Sequence, residues 1–316
     1  QRQQNQPTEA IEDKTPPITT TAPRHQVVTK RFVTVNVDGR IRHDSKQHDL
    51  LEIGMSGSSD PIQLVFVQEH KLANDNPLAG AHRLGFTFSG TKGPQSRRRN
   101  MGRGGCGVFT QTTHKDTGLP TGITTMEVQG FTPMEGIDVM FTKTTWPDTN
   151  AYLYVVNVYS PPKSKYTEND NNGTVLAQVD ICRQLFDDLA RPGYDQFVIV
   201  GDLNADVHHT DPNPDGATHE AIFNDNHTIR DYRKRQNIAQ RVNTSNNTTA
   251  TGPNEYGKAL TEYLRETDMI IANNRVQTTH GHTYTSYDGK KKSILDLIIT
   301  PEWDIDRIKK IEFLPK

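Results

Sequence analysis

AYLYVVNVYS at 151–160 and QFVIVGDLN at 196–204 are apolar, β-branched runs with a helical pattern between them, and their reading decides the fold. Leu176, Val179, Cys182, Leu185, Phe186 and Leu189 recur at three- and four-residue spacings. That spacing predicts a helix over Thr174 to Ala190 with one apolar face, Thr174 as N-cap and Pro192-Gly193 as the stop. Outward from this unit, runs of the same β character recur: RFVTVNV (31–37), IQLVFVQE (62–69), GVFTQT (107–112), IDVMFTKTTW (137–146), DMIIANN (268–274), HTYTSY (282–287) and SILDLIIT (293–300). Nearly all are bounded by Gly, Pro, Asn or Asp. A second helix is expected near Tyr256 to Glu266, burying Leu260, Tyr263 and Leu264. Many strands with few helices predict stacked sheets covered by helices rather than a simple alternation of strand and helix.

The chain has 316 residues, with 36 Lys plus Arg against 38 Asp plus Glu, a formal charge of −2. No apolar stretch approaches the roughly 18 residues of a membrane-spanning helix, so no membrane partner is expected. Two cysteines exclude a disulfide scaffold and a Cys-rich metal site. Cys106 and Cys182 read as small buried hydrophobes. The first ten residues, QRQQNQPTEA, carry neither the basic nor the apolar part of a secretory signal, and the missing Met suggests a fragment or a processed start. Hydrophobic content is low, 33%, but it is clumped into the runs above, which favours a folded core over disorder. Residues 1–30, rich in Gln, Thr and Pro, read as a flexible tail ahead of one domain over 31–316. Two polar insertions, Lys163 to Asn172 and Asp206 to Asn254, are long enough to be functional or mobile.

Carboxylates and amides gather at strand ends. VFVQEHK delivers Glu69 at the mouth of a strand, where α/β enzymes build sites. FVIVGDLNA delivers Asp202 and Asn204, two apart on one face of an extended chain, just after Gly201, which permits close backbone approach. TVNVDGR places Asn36 and Asp38 in the same alternation, and VVNVYSPP places Asn157 and Tyr159 ahead of two prolines. SILDLIIT sets Asp296 on an otherwise apolar strand, where a charge is costly unless partnered. Oxygen donors without cysteine are hard-ligand chemistry, suited to Mg²⁺ or Mn²⁺ and hence to phosphoester hydrolysis.

Taken in order, TVNVDGR, VQEHK, GGCGVF, NVYSPP, GDLNA and SILDLII resemble the endonuclease/exonuclease/phosphatase family. Together with NEYGKAL, LRETDMIIANN and TYTS, they look most like the apurinic-type endonuclease of non-LTR retrotransposons. The resemblance implies an α/β fold, a four-layer sandwich of two packed mixed sheets flanked by helices. It implies Glu69 and Asn36 as ligands of Mg²⁺ or Mn²⁺, Tyr159 on the scissile phosphate, Asp202 as the base that deprotonates water, and Asn204 as a donor to the phosphate oxygen. Asp296 would orient a histidine. The family's closing Ser-Asp-His segment does not occur before Lys316, and Asp38 stands where a second Asn is usual. The chain is therefore expected to be truncated before that segment and to be a sharply reduced nuclease.

Between Pro77 and Lys115 there is no acidic residue, while Arg83, Lys92, Arg97, Arg98, Arg99, Arg103 and Lys115 are basic. Arg97, Arg98, Arg99 and Arg103 are candidate DNA-backbone contacts, as are Lys290, Lys291 and Lys292; such contacts give affinity without reading sequence. The resemblance implies DNA as substrate, a nuclear site of action and a reverse transcriptase region of the same polyprotein as partner. The rivals are an abasic-site nuclease, a deadenylase or a phosphatase on the same scaffold, and a catalytically dead nucleic-acid-binding remnant.

Overall fold

The computed structural model describes residues 29–39, 41, 43–55, 62–72, 78–91, 104–134, 137–161, 171–205, 207, 254–273, 277–278, 283–285, 292–293 and 295–312. In chain order the elements are β1 (Phe32–Asn36), α1 (Asp44–Met55), β2 (Leu64–Gln68), α2 (Ala79–Arg83), β3 (Phe86–Gly90), β4 (Cys106–Gln111), β5 (Thr124–Glu127), β6 (Asp138–Thr145), β7 (Leu153–Tyr159), α3 (Asn171–Leu189), β8 (Gln196–Asp202), α4 (Glu255–Glu266), β9 (Met269–Ile271), β10 (Gln277–Thr278), β11 (Tyr284–Thr285), β12 (Lys292–Ser293), β13 (Asp296–Pro301), a 3-10 helix (Glu302–Arg307) and β14 (Lys310–Ile311).

A four-stranded sheet has the order β1-β2-β4-β3 and a six-stranded sheet the order β5-β6-β7-β8-β13-β9. Both are mixed: β1 runs parallel to β2 and β7 parallel to β8, and their other neighbours run antiparallel. The alternation of each strand sorts its side chains into layers. Leu64, Phe66, Cys106, Val108, Met140, Val155, Tyr159, Val198 and Val200 meet between the sheets. The intervening residues face outward. Val65, Val67, Phe86 and Phe109 pack with Leu51 of α1 and Ala81 of α2, while Val139, Phe141, Val156, Val158, Phe197 and Ile199 pack with α3 and α4. The result is the expected four-layer α/β sandwich.

The α3 helix begins at Asn171, three residues before the expected cap Thr174, and ends at Leu189. Gly193 follows at φ +78°, in keeping with the expected Pro-Gly stop. Both cysteines are buried and free. Residues 1–28 of the expected tail lie outside the described residues, as does nearly all of the two insertions. Among the described residues no helix is long and apolar enough to cross a membrane.

The rows of side chains between the sheets end in polar residues at one edge. Thr34 and Asn36 continue the row of Phe32, Gln68 that of Phe66, Asn157 and Tyr159 that of Val155, and Asp202 that of Val200. Asn157 is fully buried and binds entirely across the gap: its Nδ2 donates to Val67 O at 3.0 Å and Gly107 O at 2.9 Å, and its Oδ1 accepts from Gln68 Nε2 at 2.6 Å. Gln68 also donates to Thr34 Oγ1 at 3.0 Å. This polar clasp fixes how one sheet sits on the other, one layer beneath Glu69 and Tyr159.

Candidate active site

Asn36 is the hub. Its Nδ2 lies 2.8 Å from Asp202 Oδ2 and 3.3 Å from Glu69 Oε2, so an amide from one sheet bridges a carboxylate beside it and a carboxylate of the other sheet. Its Oδ1 accepts from the Asp38 amide at 3.0 Å. Asp202 repeats that device, accepting from the Asn204 amide at 2.9 Å. In both cases a side chain at a strand end caps the backbone two residues on, where Asp38 and Asn204 take left-handed φ values of +44° and +48°. Asp and Asn tolerate that conformation best among residues with a side chain.

Close approach of β7 and β8 requires Gly201. Its φ is +134°, and a Cβ there would lie 2.0 Å from Val158 O. The pairing of Val158 with Gly201 carries Tyr159 into register with Asp202, and Asp296 of β13 is in register with Asp202 from the other side. The Tyr159 hydroxyl hydrogen-bonds to Glu69; burial, with the negative charges of Glu69 and Asp202, holds it well above the ordinary tyrosine range and therefore protonated. Burial pushes the Asp202 carboxyl up. Hydrogen bonds from Asn36 and Asn204 oppose that rise and the charge of Glu69 adds to it.

Asn36, Glu69, Tyr159, Asp202, Asn204 and Asp296 thus share one edge of the space between the sheets. Asn204 donates one amide N–H to Ser160 O at 2.7 Å, which leaves its second N–H for another acceptor. Asn254, the N-cap of α4, accepts from Gly257 N at 2.7 Å and donates to Asn204 O at 2.8 Å, anchoring the turn after β8.

Two neighbours escaped the sequence reading. Lys71 sits 2.8 Å from Glu69 Oε1 and also pairs with Asp38. Burial opposes its charge, but hydrogen bonds to Asp38 and Glu69 keep its ammonium above the ordinary lysine range. Its only signal was nearness in sequence: it lies two residues past Glu69. Asp138, the first residue of β6, is paired in register with Tyr159 and is only 7% exposed. Burial pushes its carboxyl up to about 7, with Glu69 adding to the rise and a hydrogen bond from the Gly105 backbone opposing it. His70, between Glu69 and Lys71, is buried and pushed down to about 4.

The basic candidates fare differently. Arg97, Arg98, Arg99, Arg103, Lys290 and Lys291 lie outside the described residues, and Lys292 is placed on β12 opposite Thr285. At the ends of the acid-free stretch, Arg83 pairs with Asp44 and Lys115 with Glu52 of α1, each at 3.1 Å. Those two charges are matched within the fold. Among the described residues, no group of three or more His, Cys, Asp or Glu side chains is gathered closely enough to hold a metal ion by itself.

No family model matches the sequence, and no curated protein is recognisably similar to it. Solved structures do match. An AP endonuclease, LMAP from Leishmania major, is 17% identical and superposes with a TM-score of 0.51, covering 88% of this chain and 80% of its own. A mannosyl-6-phosphatase from Bacteroides thetaiotaomicron is 10% identical with a TM-score of 0.49, over 86% of this chain and 85% of its own. The APE2 catalytic domain of Xenopus laevis is 13% identical with a TM-score of 0.47, over 87% and 83%. The first of these shows that the chain shares its fold with an AP endonuclease.

Proposed function

We propose that the chain, built on a fold it shares with an AP endonuclease, is a divalent-metal-dependent endonuclease that hydrolyses DNA phosphodiester bonds and leaves a 3′-hydroxyl. The observation that carries this reading is the bridge of Glu69 and Asp202 by Asn36, which brings an acid from each sheet to one polar edge. A hard cation needs only one or two carboxylates when phosphate and water complete its shell; Glu69 would supply one, and Asn36, whose amide nitrogen faces Glu69 while its carbonyl oxygen accepts from the Asp38 amide, would add a second oxygen by turning its side-chain amide over. Mg²⁺ or Mn²⁺ there would offset negative charge on the phosphate.

The chain's own groups supply the rest. Asp202, with its carboxyl raised by burial, is suited to take a proton from the attacking water. The second Asn204 N–H, and the Tyr159 O–H once it turns from Glu69, would donate to the phosphate oxygens as charge develops. Lys71 pairs with Glu69 and Asp38 and so balances the acids of this edge. The 3′-hydroxyl product fits target-site nicking by a retrotransposon, with a nuclear DNA target and priming of a reverse transcriptase encoded in the same polyprotein.

Supercoiled-plasmid nicking tests the assignment. Mg²⁺-dependent nicks that a polymerase can extend, abolished by chelation and by Glu69→Ala, are expected. Nicking that Glu69→Ala leaves untouched would overturn it. A phosphatase on the same scaffold would instead release phosphate from small monoesters and leave the plasmid closed.

A further inference from the structure

We propose that Asp138 is a positioning residue for Glu69, acting from the opposite sheet through the Gly104–Gly105 turn. For its effect on activity the proposal rests on the function just given; its structural half does not.

Glu69 and Lys71 both adopt φ +55°, a left-handed conformation twice within three residues. Such backbone persists only where its surroundings over-determine it. Three hydrogen bonds do so: Gly39 N to Glu69 O at 2.7 Å, His70 N to Gly105 O at 3.4 Å and Lys71 N to Gly104 O at 2.9 Å. Two of the three acceptors belong to the turn that leads into β4. The position of Glu69 is therefore only as well defined as that turn.

The turn is clamped from two sides. A Cβ on Gly104 would lie 1.9 Å from Asp138 Oδ2, and one on Gly105 would lie 2.6 Å from the His70 ring. The backbone thus threads between a carboxylate of the six-stranded sheet and an imidazole of the four-stranded one. The Gly105 N–H donates to the Asp138 carboxylate, and Cys106 Sγ donates to Asp138 O at 3.2 Å. Asp138 is also the register partner of Tyr159, whose hydroxyl reaches Glu69. Asp138 accordingly ties together two supports of the same carboxylate, the turn that fixes its backbone and the strand that carries its tyrosine partner. A buried acceptor at position 138 is accounted for by the Gly105 N–H that the turn presents to it.

Hydrogen exchange and plasmid nicking on the full chain test this together. Asp138→Ala should speed exchange of the His70 and Lys71 amides about tenfold, with the amides of β7 and β8 unchanged, because only local opening is affected. Nicking kcat should fall about tenfold with KM little changed, since the displaced group acts on positioning rather than on binding. Asp138→Asn keeps an acceptor of the same shape and should stay within about threefold of wild type in both readouts. Gly104→Ala, which drives a methyl group into the Asp138 carboxylate from the other side, should reproduce the alanine pattern and serves if Asp138→Ala does not fold. Unchanged exchange at His70 and Lys71 in the variant that folds, or Asp138→Asn behaving like Asp138→Ala, overturns the proposal. A wild type that exchanges as described but never nicks DNA overturns the functional reading and leaves Asp138's structural role standing.

Discussion

At the scale of single residues, the site depends on groups whose ionisation is set by burial. Asp202→Asn keeps the hydrogen bond to the Asn204 amide but cannot accept a proton, so kcat for plasmid nicking should fall on the order of 10²–10⁴ with KM little changed. A loss smaller than tenfold would remove Asp202 from the role of base. His70 permits a pH prediction. Its pKa falls from 6.5 in the unfolded chain to about 4 in the fold, so the folded state binds fewer protons across that interval. Its contribution is full above pH 6.5 and is lost as pH drops toward 4, at about 1.4 kcal/mol per unit once the unfolded form is protonated. Asp138 works the other way: raised from 3.8 to about 7, it favours the folded state as pH falls through the same range. Comparison with His70→Gln, which can still accept from the Leu72 amide, isolates the histidine. Wild type should lose stability relative to that variant between pH 6.5 and 4 in urea titrations; parallel curves would refute it. Glu69, Asp202 and Asn36 were legible in the sequence because each is a polar group at or just past the end of a β-rich run. Asp138 was not, because what buries it is a turn formed by residues 104–105, far away in sequence.

At the scale of elements, the outcome follows how much of each strand is covered. Strands β2, β6, β7 and β8 are buried nearly throughout and stood out as apolar runs. By contrast β5, TTME, is an edge strand with three of its four residues exposed, and an alternation without burial leaves no trace in composition. Helix α1, DSKQHDLLEIGM, went unrecognised for a related reason: Gln47 and Leu51 face the core, while Asp44, Ser45, Lys46 and Asp49 are exposed. The junction of β7 and β8 is where one atom matters most. Gly201→Ala would place a methyl group 2.0 Å from Val158 O in a backbone conformation that disfavours it. We expect a loss of about 3 kcal/mol or more in urea unfolding, with displacement of Tyr159 from Asp202. An alanine variant as stable as wild type would show that the strands can separate at no cost.

For the molecule as a whole, the two sheets meet through an apolar layer whose one polar edge is the site, so ligand binding and folding are coupled there. A cation held by Glu69 and Asn36 binds the folded chain alone and should stabilise it by about 2.7 kcal/mol at a hundredfold excess over Kd, raising Tm by several degrees. Glu69→Ala should abolish the shift; an equal shift in that variant would place the cation elsewhere. The layered architecture was readable from strand count and helix scarcity. Substrate choice does not follow from that architecture, because a fold fixes where a site lies and not what it binds.

Because Asn36, Tyr159 and Asp202 each end a row of alternating side chains, spacing inside the strands carries as much information as residue identity. One codon inserted within β8 would rotate Asp202 onto the face that packs against helices while leaving hydrophobicity almost intact. The protein would keep its core and lose its chemistry. Connections between strands and helices can vary in length without that penalty, so variation among homologous sequences should accumulate in the joints and spare the length of the rods.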